Sequence, residues 1–410
     1  MPRFTFARGN ATKLLSAPLY AFGALASAIV PRRKNLWAFG CGSGVGEGAL
    51  SLYRHARDAD GTITTVWLAA SRRELELARS LGLHAVLRSS WRGFRLTLRA
   101  QVIVLTHGFG DVNRFGTRGA FVVQLWHGIP LKKIQLDSPV TFRSRLVPPA
   151  LLRGLYRKQA SRISLMPAAS ELSAERLRTA FDVPRDRIVV TGDPRDDSIL
   201  GDRRAARAHL TRIVGTELDA KSPAADHTPV WLYAPTWRDG AEDPGLPNPK
   251  EWAAIADHLD RTGGLLLVRP HPHSVGAYEA GPAASGRIRM LTSRDAPDLN
   301  PLLPAVDLLI TDYSSVAYDF ALTGHPIAFL APDVSDYVAA RGLYEDYRDF
   351  TGGTEVASWR GLLDLVSDTT AVSRLAAHAI SLAERHHRYR DGHNTSRVFD
   401  QIRTRLGAQR

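Results

Sequence analysis

Short apolar runs alternate with amphipathic stretches along the chain in two separate sets. The first set opens with Leu36-Trp37-Ala38-Phe39, turns through the glycine-rich Gly40 to Gly46, and continues as a helical pattern to Arg57. Thr64 to Leu68, Ala85 to Leu87, Val102 to Leu105 and Ala120 to Val123 follow as strand-like runs, with helical patterns at Arg72 to Leu81 and Trp91 to Arg99. The second set comprises Val230 to Tyr233, Leu265 to Val268, Leu308 to Ile310 and Ile327 to Leu330. Near-continuous apolar strands separated by helices predict parallel sheets covered on both faces. The expected fold is α/β, with two Rossmann-like doubly wound domains facing across a cleft, because ligands collect at the carboxyl ends of such strands. The expected boundaries are an N-terminal segment at 1–34, domains at 35–220 and 228–385, and a C-terminal helix and tail at 386–410. A polar stretch from about Gly201 to Thr228, with Lys221-Ser222-Pro223 near its middle, reads as the linker.

A length of 410 residues with 44% hydrophobic content supports two domains rather than one. The formal charge of +12 favours anionic partners without choosing among lipid, nucleic acid and phosphorylated substrates. Lys and Arg are scattered and no aromatic-basic module appears, so a nucleic-acid partner is not expected. The single cysteine, Cys41, excludes an internal disulfide framework and multi-cysteine metal sites, and it reads as inert beside glycines. Leu14 to Val30 is apolar and bracketed by Arg3, Arg8 and Lys13 on one side and by Arg32, Arg33 and Lys34 on the other. Those flanks suit an interfacial anchor on an anionic membrane surface. A secretory signal ending at Ala26-Ser27-Ala28, or plain burial against the protein body, are the competing readings.

Three loops at strand ends carry the candidate chemistry. Gln124 to Lys133 brings His127, a neighbouring glycine and two lysines to the end of a strand, and a neutral imidazole can take the proton of an attacking hydroxyl. Arg269-Pro270-His271 offers a guanidinium fork for phosphate oxygens and an imidazole beside it. Ser314 and Ser315 fall where a strand turns into a helix, a place for anion-binding amides or for simple caps. Thr191 to Asp197 and Tyr233 to Asp239 supply further polar groups. The glycines at 40–46 lack the acidic residue of a dinucleotide fingerprint and read as a structural turn. The aspartates at 193, 196 and 197 lack calcium-loop spacing, so no protein-caged metal is expected, and a magnesium ion held loosely on a donor diphosphate stays open.

Taken together, WHGIPLKKI, TGDPRDD, YAPTWRD, RPHPH and LLITDYSSVAYDFAL resemble, in that order, the CDP-glycerol:poly(glycerophosphate) glycerophosphotransferases of teichoic acid synthesis, over about Pro31 to Arg397. The resemblance implies a GT-B arrangement with the donor held mainly by the second domain, attached peripherally to the cytoplasmic face of the membrane. It makes His127 the general base, with Trp126, Gly128, Ile129 and Pro130 shaping its pocket. Arg195, Pro235, Thr236, Arg269, Pro270, His271, Ser314, Ser315 and Asp319 become donor-side positions, with His271 at the leaving group. The implied reaction moves glycerol phosphate, or a related polyol phosphate, from a CDP-linked donor to a hydroxyl of a lipid-linked wall polymer, releasing CMP. A glycosyltransferase of the same fold using a nucleotide sugar, and a non-catalytic binder of anionic polymer, are the rival expectations.

Overall fold

The computed structural model describes residues 17–142, 148–219, 227–238, 242–272 and 274–408. The expected linker core Lys221-Ser222-Pro223, the basic residues Arg3, Arg8 and Lys13, and the residues Asp239 and His273 lie outside the described residues. The chain divides into two compact units, one built from residues 1–127, 134–197 and 388–410, the other from 128–133 and 198–387.

The first unit is organised on five parallel strands: β1 (Arg33–Phe39), β2 (Thr64–Ala69), β3 (Ala85–Leu87), β4 (Ala100–Leu105) and β5 (Phe121–Gln124). Their order in the sheet is β3-β2-β1-β4-β5, so the direction of winding reverses between β1 and β4. Both faces are buried, as apolar strands require. Trp37, Phe39, Tyr53, Trp67 and Phe399 pack on one face, and Leu36, Ala38, Val66, Val86 and Ile103 on the other. A short parallel pair, β6 (Met166–Ala168) with β7 (Ile188–Val190), has its own small core that includes Trp126, Leu177 and Phe181.

The second unit repeats the plan with β8 (Val230–Tyr233), β9 (Leu265–Val268), β10 (Ile288–Met290), β11 (Leu308–Thr311) and β12 (Ile327–Phe329), all parallel. The order β10-β9-β8-β11-β12 again reverses at the first strand, between β8 and β11. In an open parallel sheet this switch point leaves a crevice at the strand ends where ligands bind.

One segment differs from the expectation. Residues 203–214, expected within the linker, form a helix whose buried Arg207 donates to the carbonyls of Leu218, Thr228 and Ala305 and pairs with Asp219 at 2.9 Å. The sequence reads as linker because only Ala206 and Leu210 bury apolar side chains beside Arg207 on an otherwise polar helix. The C-terminal helix Asn394–Ala408 is part of the first unit, burying Val398, Phe399 and Ile402 in the same core as Trp37.

That helix also explains the Thr191 to Asp197 segment. Asp197 accepts from the backbone N–H groups of Asn394 (2.9 Å) and Thr395 (2.8 Å), capping the helix start, while Asn394 Nδ2 donates to the Asp193 carbonyl at 3.1 Å. Asp197→Ala is expected to cost about 1 kcal/mol of stability, as lost helix caps do, measured as a shift of the urea midpoint. An unchanged midpoint would show that the cap contributes nothing.

Near the N-terminus, the helix Ala17–Ile29 carries no acidic or basic residue in its first or last turn. Phe22 lies 5.9 Å from Phe94 ring to ring, and Tyr20 meets Phe115 edge-on, so one side rests on the first unit. The other side stays outside: Leu25 is 62% and Ile29 72% exposed, and nearby Trp91 is 69% exposed. Plain burial therefore does not describe it. A cavity of about 340 Å³ beside it is lined by Phe22, Trp91, Phe94, Leu98, Arg95 and Arg99, among others. No helix among the described residues is long and apolar enough to cross a membrane.

Candidate active site

In the first unit the candidate residues sit at the carboxyl ends of β1, β4 and β5. Asp111 Oδ2 accepts from the backbone N–H groups of Thr106 (2.9 Å), His107 (2.7 Å) and Gly108 (3.2 Å), which rigidifies the turn after β4. The turn after β5 holds His127 between two residues with left-handed backbone, Trp126 at φ 64° and Gly128 at φ 113°. A tryptophan at positive φ is costly, by about 1–3 kcal/mol, and such strain persists where the surroundings impose it, often at functional sites. Here the Trp126 ring is fixed in the β6–β7 core, 5.0 Å from Phe181. Glycine at 128 lets the backbone turn back at once. His127 is half-buried, its Nδ1 3.5 Å from the Thr106 carbonyl, and its ring lies 4.0 Å from that of His107 at 9°.

His107 was not among the sequence candidates. The signal was present, since a His-Gly pair ends β4 as another ends β5. Cys41 is buried and its thiol is pushed up to about 12, mainly by burial and then by the Glu47 charge, which fits an inert residue. Arg195 is half-buried at the end of the loop after β7, its backbone N–H donating to Asp193 Oδ1 at 3.2 Å.

Residues 128–133 belong to the second unit, with Ile129 and Pro130 buried. Lys133 N–H donates to the Gly342 carbonyl (3.0 Å) and Tyr344 N–H to that of Leu131 (2.9 Å), pinning Lys132 beside Leu343. Burial lowers the Lys132 ammonium to about 8, opposed by the Asp312 carboxylate and reinforced by Arg341 and Arg238.

Asp312, at the end of β11, joins the two sides of the switch point. Its Oδ1 accepts from the backbone N–H of Thr236 (2.9 Å), in the loop after β8, and of Tyr313 (2.6 Å). Its Oδ2 lies 2.9 Å from buried Arg238, which also grips Asp333 through two parallel 3.0 Å bonds. Arg238 lies over the rings of Tyr313 and Tyr337, which stack on each other at 3.9 Å. Thr236 Oγ1 is buried and has no hydrogen-bond partner among the described residues, although its own amide is held.

The other expected donor-side residues share these strand ends. Pro235 precedes Thr236 after β8, and Pro270 is buried after β9. Arg269 donates to the carbonyls of Leu291 (3.3 Å) and Thr292 (3.4 Å), with burial lowering its pKa against the pull of Asp298 and Asp295. His271 is exposed and stacks on Trp237 at 4.9 Å. Ser314 and Ser315 are half-buried, and the Ser315 hydroxyl does not cap the six-residue helix Val316–Ala321 that follows. Asp319 is 2% exposed inside that helix. Arg238, Asp312 and Lys132 lie within the same sequence motifs, and only the fold shows the contacts that Arg238 and Asp312 make. Among the described residues no group of three or more His, Cys, Asp or Glu side chains is placed to hold a metal.

The sequence profile of the CDP-Glycerol:Poly(glycerophosphate) glycerophosphotransferase family matches residues 25–404. The chain belongs to this family. It is 26% identical over 283 residues to the teichoic acid ribitol-phosphate polymerase TarL of Staphylococcus aureus, covering 68% of this chain and 47% of TarL. It is 29% identical over 271 residues to the teichoic acid glycerol-phosphate transferase of the same organism, covering 63% and 65%. The chain thus spans from about half to two thirds of the length of these relatives. Among solved structures, the wall teichoic acid polymerase TagF superimposes with a TM-score of 0.76 at 19% identity, over 98% of this chain and 97% of that one. This glycerophosphotransferase-family chain therefore shares the α/β fold of TagF, with parallel sheets as the sequence predicts.

Proposed function

We propose that this chain transfers a polyol phosphate, glycerol phosphate or its ribitol counterpart, from a CDP-linked donor to a hydroxyl of a lipid-linked wall polymer. The observation that carries the reading is His127: a half-buried imidazole held in a strained turn at the strand ends, with Nδ1 toward a carbonyl, so that Nε2 is the basic nitrogen. The acceptor O–H gives its proton to Nε2 as the oxygen attacks the phosphorus nearer the polyol. The bond from that phosphorus to the bridging oxygen breaks, and CMP leaves with the electron pair. Arg269, His271 and the hydroxyls of Thr236, Ser314 and Ser315 sit at the strand ends of the second unit, suited to the charge growing on the departing phosphate. Lys132, its ammonium lowered to about 8 yet still mainly charged at neutral pH, would be held in that charged form by an arriving diphosphate. On this reading the first unit serves the acceptor and the second the donor. Acceptor-dependent CMP release from CDP-glycerol and CDP-ribitol, run beside a panel of nucleotide sugars, tests it. Turnover of a nucleotide sugar alone would replace it with glycosyl transfer.

The same reading places the protein peripherally on the cytoplasmic face of the membrane, where a lipid-linked acceptor would be met. The exposed apolar side of Ala17–Ile29, with the exposed Arg33 and Lys34 just beyond it, supports an interfacial contact with anionic lipid, whereas the Arg32 guanidinium is turned inward onto the carbonyls of Thr97, Ala100, Gly116 and Arg118. Phe22→Glu combined with Leu25→Glu is expected to cut cosedimentation with phosphatidylglycerol vesicles about tenfold, as two exposed apolar side chains that would enter the interface are exchanged for charge. Undiminished sedimentation would remove this helix from the membrane contact.

A further inference from the structure

His107 has no place in the mechanism above, yet the fold invests several contacts in it. Asp111 fixes the backbone from which it projects, and its Nδ1 lies 2.9 Å from Thr106 Oγ1, which in turn accepts from the Gly42 N–H at 3.2 Å. The imidazole occupies the space over Gly42, where an added Cβ would stand 2.4 Å from its Cγ. The glycine-rich turn after β1 thus makes room for a side chain from β4 at the switch point of the sheet. On its open side the ring lies almost parallel to His127, centroid to centroid 4.0 Å. His107 is exposed, so burial of its own apolar surface does not explain the arrangement.

We propose that His107 is a positioning residue for the general base, holding the plane of His127 by ring stacking so that Nδ1 stays toward the Thr106 carbonyl and Nε2 toward the acceptor hydroxyl. The inference rests on the reading of His127 as the base. A base that can swing loses alignment, and a misplacement of about 1 Å can cost a hundredfold in rate. A flat ring at position 107 is what the role requires. Its nitrogens are secondary.

The test is CMP release by the full chain, with a CDP-polyol donor and a lipid-linked acceptor, for His107→Ala, His107→Asn and His107→Phe beside His127→Ala. His107→Ala is expected to lower kcat about ten- to a hundredfold with the donor KM unchanged, in keeping with lost alignment. His107→Phe, which keeps the flat ring, should recover most of kcat, whereas His107→Asn, which keeps a polar partner for Thr106 and no ring, should not. Gly42→Ala, which displaces the ring while leaving His107 in place, should reproduce the alanine defect. A normal kcat in His107→Ala, or recovery by asparagine and not by phenylalanine, overturns the stacking role while an inactive His127→Ala keeps the base. Normal turnover in His127→Ala removes the base, and the positioning role falls with it.

Discussion

His127→Ala is expected to retain binding of the CDP-linked donor and to lose turnover by about a hundred- to ten-thousandfold, the range for removing a positioned general base. Donor binding is expected to survive because the groups proposed to meet the diphosphate, Thr236, Arg269, Ser314 and Ser315, belong to the second unit, whereas His127 belongs to the first. The loss should fall on kcat, since the imidazole contributes only when the proton moves. Single-turnover CMP release with saturating donor, beside equilibrium binding of the donor to the same variant, separates the two effects. Near-normal turnover would take His127 out of the chemistry and leave the strained Trp126–Gly128 turn without a catalytic purpose. A variant that loses donor affinity as well would place the histidine on the diphosphate instead. A non-catalytic polymer binder would show no turnover to lose in either protein.

The strands were legible because each is a compact apolar run ended by glycine, proline or a polar turn. Ala85–Leu87, Val230–Tyr233 and Leu265–Val268 fall where the hydrophobic pattern puts them. The β6–β7 pair is less visible, since Met166-Pro167-Ala168 is three residues long and contains a proline, and its core draws on short neighbouring segments around Ala160 and Leu177 together with Trp126 from the turn after β5. The helix at 203–214 is hard to read from sequence because only Ala206 and Leu210 are buried apolar positions, and the third buried residue is an arginine whose partners include carbonyls elsewhere in the chain. At the candidate site, histidines, serines and arginines at strand ends could be read directly. What could not be read is which of them touch. The stacking of His107 on His127 requires β4 and β5 to be neighbours, and the joining of Thr236 to Asp312 requires β8 and β11 to be. Asp319 shows the converse limit, because its spacing from the serines says nothing of the helix turn that buries it.

Arg238→Met is expected to destabilise the second unit by about 3–5 kcal/mol, the cost of removing one partner from a buried ion pair. Arg238 and Asp312 are both buried, and the guanidinium is shared between Asp312 and Asp333. Its loss leaves two carboxylates and the nearby Tyr313 and Tyr337 rings without the cation between them. The pH dependence gives a second readout. Burial raises the Asp333 carboxyl, but hydrogen bonds and charge from Arg238 outweigh it, so its folded pKa lies below the ordinary value. A depressed carboxylate lends stability above its unfolded value, near pH 4, and loses it as pH falls through the folded one. The deficit of the variant should therefore be full at pH 7 and narrow toward pH 3 in urea titrations. A constant deficit would mean that lost packing of the guanidinium over the tyrosines, and not charge, accounts for the change. Adding Asp312→Asn and Asp333→Asn to Arg238→Met should restore part of the stability, because no unpaired charge then remains buried. It should not restore turnover to the same degree. The amide Nδ2 that replaces Asp312 Oδ2 no longer needs a cation, yet the loop carrying Thr236 depends on a carboxylate accepting two N–H groups at once across the switch point, and a neutral side chain holds it less firmly.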